Sequence, residues 1–147
     1  MANPSDLLES SEAAVAPVIV QEILQGAASQ ENLERLREHF LSLPMLIPTD
    51  PAGTYAAAGV LYARCRWQGI TPRSPHDCLI AQVAVEHGVT LLHDDRDFEQ
   101  IARVEPALNS VVADLVCCDH PLLAIAHVHI FRQRLGNRPT LNPGDLG

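Results

Sequence analysis

Apolar and polar positions along the chain follow a helical period in some stretches and form short unbroken apolar runs in others. In "AVAPVIVQEILQG", Ile19, Val20, Ile23 and Leu24 share one helical face, with Gln21, Glu22 and Gln25 on the other. Pro17 in the first turn and Gly26 at the end bound that helix. Ser29 is placed to cap a second helix, "QENLERLREHFLSL", where Leu33, Leu36, Phe40 and Leu43 recur at helical spacing. "MLIP" reads as a short buried strand. Asp50 and Pro51 then open a third helix that runs through "AGTYAAAGVLYARCRWQ" to Gly69. After the loop "ITPRSP", Asp77 begins "DCLIAQVAVEH", apolar nearly all round and closed by Gly88. "VTLL" predicts a buried strand, "FEQIAR" a short helix and "LNSVV" a last strand.

Short apolar strands alternating with helices predict an α/β domain with a parallel sheet. In such sheets the ligand site lies off the carboxyl ends of the strands. "LLHDDRDF" places Asp94, Asp95 and Asp97 directly behind a predicted strand, at that edge. From Ala113 onward the periodicity fails, so residues 1–113 are expected to form the domain. Residues 114–147 form a tail that ends rich in Pro, Gly and Asn.

Composition narrows the chemistry. The 147 residues suit one domain, and a hydrophobic content of 47% can build a core. The formal net charge is -8 and all 10 basic residues are arginine, so nucleic acid cannot be held by overall charge. A local arginine patch or a bound metal would be required. Cys65, Cys78, Cys117 and Cys118 lack C-x-x-C spacing, and no signal peptide precedes them. No apolar run reaches the length of a membrane span, so a soluble, cytoplasmic protein is expected. Cys117, Cys118, His120, His127 and His129 match no usual zinc spacing.

Each acidic candidate carries two readings. Asp77 is placed as a helix N-cap; it also opens a buried helix whose dipole favours an ionised carboxylate near the strand ends. Glu22 lies on a solvated helix face or turns toward the same edge. Asp97 can cap the helix beginning at Phe98 while facing the site, and Asp94 reads as surface. If Glu22, Asp77, Asp95 and Asp97 converge, an oxygen-only ligand set suits Mg²⁺ or Mn²⁺ rather than zinc. Phosphodiester hydrolysis is the reaction such a metal serves. Arg64, Arg66, Trp67 and Arg73 lie just before Asp77. They read either as cations at a helix end or as a phosphate-guiding patch with an indole for base stacking.

"QEILQG" and "GITPRSPHDCLIAQVAVEHGVTLLHDDRDFEQIA", in this order, resemble the PIN domain, and within it the VapC-type toxins of type II toxin–antitoxin modules. The resemblance runs from about Ala13 to Leu108 and implies a three-layer α/β/α fold around a parallel sheet. It implies a Mg²⁺- or Mn²⁺-dependent endoribonuclease that cleaves RNA, is neutralised by a VapB-type antitoxin and forms a homodimer. By motif match Glu22, Asp77, Asp95 and Asp97 are the metal ligands and catalytic acids, and His93 takes a place near the scissile phosphate. The family's central first strand, ending in an aspartate, has no counterpart in "MANPSDLLES", and Asp6 follows no apolar strand. A late start, a decaying copy, or a strand donated by the tail, where Asp114 follows "SVV", are the three explanations. The alternative to an active nuclease is an inactive PIN-like remnant that binds an antitoxin or dimerises.

Overall fold

The computed structural model describes residues 13–112 and 123–125, with Ala13 and residues 123–125 described as backbone alone. Asp6, Asp114, Cys117, Cys118, His120, His127 and His129 therefore lie outside the described residues. The elements are β1 (Ala13–Ala14), α1 (Pro17–Gln25), α2 (Gln30–Leu41), α3 (Pro51–Trp67), α4 (Pro75–His87), β2 (Thr90–His93), α5 (Arg96–Val104), β3 (Ser110–Val112) and β4 (Leu123–Ile125). No described helix is long and apolar enough to cross a membrane.

Local chemistry fixes most of the helix ends. The Ser29 hydroxyl accepts the Asn32 N–H at 3.1 Å, and the Asp50 carboxylate accepts the Gly53 N–H at the same distance. A Cβ at Gly53 would meet the Asp50 carboxylate, which would have to shift to make room. Gly88 closes α4 at φ +62°, a left-handed turn that glycine adopts without strain. At the start of α4 the cap is Ser74, with Pro75 as the first helical residue. Asp77 therefore sits inside the first turn rather than at the N-cap expected of it. At α5 the cap is Asp95, whose carboxylate accepts the Asp97 N–H at 3.0 Å, and Asp97 is in the first turn.

The sheet is parallel throughout, in the order β1-β4-β2-β3. Ala124 stands beside Ala14 on one side and Leu91 on the other. The place of a central first strand is thus held by β4, from beyond β3 in the chain. The expected strand at "MLIP" reduces to one bridge: Val15 N–H donates to Pro44 O at 3.0 Å and Leu46 N–H to Val15 O at 2.9 Å. Its first residues still continue the sheet outward past β1.

Val15, Ile19, Phe40, Leu61, Ile80, Leu91, Phe98 and Ile101 are fully enclosed in one core. Each such side chain stabilises the fold by roughly 1.5–3 kcal/mol relative to exposure. Helix α4 is buried on most of its circumference, through Cys78, Leu79, Ile80, Ala81, Val83 and Ala84, as its apolar sequence predicts. It lies against α3, α5 and α1. The buried Thr54 hydroxyl donates to Glu86 at 2.7 Å and ties the start of α3 to the end of α4.

A central strand forms ladder bonds on both sides, so Ala124→Pro removes an N–H that is paired whichever way it points. The expected cost is about 3 kcal/mol, or a thermal midpoint lower by roughly 6–12 °C. An unchanged midpoint would remove β4 from the middle of the sheet.

Candidate functional site

Four acids reach the carboxyl edge of the sheet from four places in the chain. Glu22 comes from the second turn of α1 and Asp77 from the first turn of α4. Asp95 follows β2 as the cap of α5, and Asp97 lies in the first turn of that helix. Their convergence is read most directly at Asp77. Its carboxyl is pushed up to about 7, first by burial and then by the negative charges of Asp97, Asp95 and Glu22, with Arg73 opposing. The helix dipole expected to keep it ionised is outweighed by desolvation and like charge.

Two nitrogen-bearing side chains meet the other acids. Arg73, in the loop between α3 and α4, donates its backbone N–H to Asp97 Oδ2 at 3.0 Å and Nε to the same oxygen at 3.3 Å. Its Nη2 donates to Asp95 Oδ1 at 2.8 Å. His76 Nδ1 lies 3.1 Å from Glu22 Oε1, so the ring N–H on that side donates to the carboxylate and joins α4 to α1. Asp97 is buried, which sequence reasoning did not foresee; its N-terminal position in α5 and its Arg73 bonds make that burial tolerable.

His93 is also buried, at 1% exposure, and packs on Phe98 with ring centroids 5.3 Å apart. It accepts the Asp95 N–H on Nδ1 at 3.3 Å, and burial lowers its pKa. The ring is thus neutral and holds the backbone of Asp95; enclosure keeps it from an RNA phosphate. Asp94 is exposed, as expected.

The arginine cluster divides. Arg64 donates to Glu105 at 3.2 Å and to Val104 O at 2.7 Å, which caps the end of α5. Arg66 and Trp67 are exposed at the end of α3, with Trp67 80% accessible. Arg73 is the one that touches the acids. His76 was not foreseen, although a helix-start histidine beside Asp77 is a signal visible in "PHDCLIA".

The donor set fits a hard divalent cation: every acid offers oxygen, and the Asp77 carboxyl is raised by burial and by the charge of its neighbours. Among the described residues no three acidic, histidine or cysteine groups are drawn into a ready-made cage. Arg73 and His76 hold three of the four carboxylates instead.

Asp77 sets a pH dependence of known sign. Between about pH 4 and pH 7 the folded protein keeps a proton that the unfolded chain has released, so stability falls as pH rises through that window. Asp77→Asn, neutral throughout, is expected to exceed the wild type by roughly 2 kcal/mol at pH 8, after allowance for solvent at a half-buried group. At pH 4 the gain should nearly vanish. Denaturant titrations at both pH values check this, and an equal gain at both would place the raised pKa elsewhere.

Known proteins are similar to this chain in sequence. The sequence pattern described as the PIN domain matches residues 4–104. A VapC ribonuclease of Mycobacterium bovis is 40% identical over 96 residues, covering 65% of this chain and 71% of the relative. Ribonuclease VapC11 from two strains of Mycobacterium tuberculosis matches with the same identity and coverage. With the parallel sheet and the acid edge already in place, the chain belongs to the PIN-domain family and, within it, to the VapC-type toxins.

Proposed function

We propose that the chain is an endoribonuclease that hydrolyses RNA phosphodiester bonds with Mg²⁺ or Mn²⁺ and is silenced by a VapB-type antitoxin. The observation that carries this reading is Asp77, raised to about 7 by burial and then by the three other carboxylates gathered at one sheet edge. The names of the mycobacterial relatives, all ribonucleases, support the reaction class.

Glu22, Asp77, Asp95 and Asp97 would hold the ion, which when bound activates water and stabilises charge growing on the phosphate. The chain's own groups prepare that edge. The Arg73 backbone N–H fixes Asp97, the Asp97 N–H fixes Asp95, and buried His93 fixes the Asp95 backbone. Asp77, with its carboxyl near 7, holds or releases a proton according to the charge placed beside it. Arg66 and exposed Trp67 offer a phosphate contact and a stacking surface for unpaired RNA.

Cleavage of single-stranded RNA with Mn²⁺ should be abolished by a chelator and lowered on the order of a hundredfold by Asp95→Asn. Millimolar Mn²⁺ should also raise the thermal midpoint of the wild type. Chelator-resistant cutting would overturn metal dependence. A folded protein that neither cuts nor responds to Mn²⁺ would be the inactive remnant.

Protein partners need apolar surface, and α3 supplies it. Its inner positions Ala58, Leu61 and Cys65 are buried, while Tyr55 and Val60 stand exposed on the outer face beside Ala56 and Gly59. Small residues there allow a second helix to approach closely. The expected homodimer is assigned to this face, and Val60→Glu should shift the mass in light scattering to that of a monomer. A dimer that survives the substitution would place the interface elsewhere.

A further inference from the structure

We propose that Arg73 is a built-in counter-cation that closes over the acid edge, competes with the divalent ion, and turns outward to an RNA phosphate once displaced. This rests on the reading of the edge as a metal site for RNA cleavage. Three observations carry it.

The first is position. The Arg73 side chain is 76% exposed, whereas those of Asp95 and Asp97 are 15% and 11% exposed. The guanidinium therefore lies on the solvent side of two largely covered carboxylates, between them and anything arriving from solution.

The second is the division of its bonds. The backbone N–H of Arg73 holds Asp97 independently of the guanidinium, which bonds Asp97 through Nε and Asp95 through Nη2. The side chain can leave without releasing the loop. The loop is anchored on both sides, by buried Pro72 before it and by Ser74 and Pro75, the cap and first residue of α4, after it. A fixed backbone carrying a long exposed side chain has two stations within reach: the carboxylates, and the solvent in front of them.

The third is charge. Of the four acids Arg73 bonds Asp95 and Asp97, not Glu22 or Asp77, so one guanidinium meets only half of the carboxyls at the edge. A divalent ion brings more charge than Arg73 and bonds oxygen directly, which favours exchange once it is present. The guanidinium, then repelled by the ion beside it, has an anionic phosphate as its natural next partner, which it can bind in a bidentate manner.

The test is Mn²⁺ binding to the full chain without RNA, by calorimetry and by the Mn²⁺-induced shift in thermal midpoint. Arg73→Gln removes the charge and keeps the backbone bond to Asp97. It should bind Mn²⁺ roughly tenfold more tightly than the wild type, from a less stable metal-free protein. Arg73→Lys keeps the charge and should stay near wild-type affinity. In RNA cleavage at saturating Mn²⁺, Arg73→Gln should raise KM several-fold more than it lowers kcat. Equal or weaker Mn²⁺ binding by Arg73→Gln would overturn the competition and make Arg73 a support for the acids. An unchanged KM would remove the outward station. If neither wild type nor Arg73→Gln binds Mn²⁺, the metal-site reading itself fails and the proposal with it.

Discussion

Repulsion among carboxylates is the constraint around which the rest of this structure is arranged. Four acids brought to one edge repel one another and work against the fold that gathers them. The chain answers with two side chains of its own, the His76 ring on Glu22 and the Arg73 guanidinium on Asp95 and Asp97, and leaves Asp77 part-protonated near neutrality. Function and stability are opposed here. The closeness of the carboxylates, which the proposed chemistry needs, makes the protein less stable than an apolar edge would be.

The architecture is suited to bear that strain. Glu22, Asp77 and Asp97 stand on helices whose other faces are packed into the core through Ile19, Ile23, Leu79, Ile80, Phe98 and Ile101. Asp95 is held as a helix cap, and neutral His93 sits beneath it on Phe98. A rigid scaffold keeps the carboxylates from drifting apart, which is what free loops would allow. The positive ends of α4 and α5 offset part of the charge.

Much of this was legible in the chain. Helix starts at Pro17, Ser29 and Asp50, and stops at Gly26 and Gly88, follow from capping chemistry that depends on a few neighbouring residues. The acids at 77, 95 and 97 could be found because they punctuate strongly apolar runs. What sequence could not show was long-range. Which aspartate caps α5 depends on whether Asp95 or Asp97 faces inward. The engagement of Arg64 with α5 and of Arg73 with the acids depends on packing between elements far apart in the chain. The strand at 123–125 was hidden for the same reason, since three residues in a stretch without period carry no pattern of their own.

That strand has a consequence in time. A ribosome delivers β1 first, then β2 and β3, and only afterwards the residues that lie between β1 and β2. Until residue 125 has left the exit tunnel, the middle of the sheet has no occupant, and β1 and β2 present unsatisfied backbone to each other across a gap. Parallel pairings of such long sequence separation are slow to form. The nascent chain thus completes the sheet that carries its acid edge only after all four acids have emerged, and a cell that makes a nuclease gains an interval in which the growing chain is not yet one.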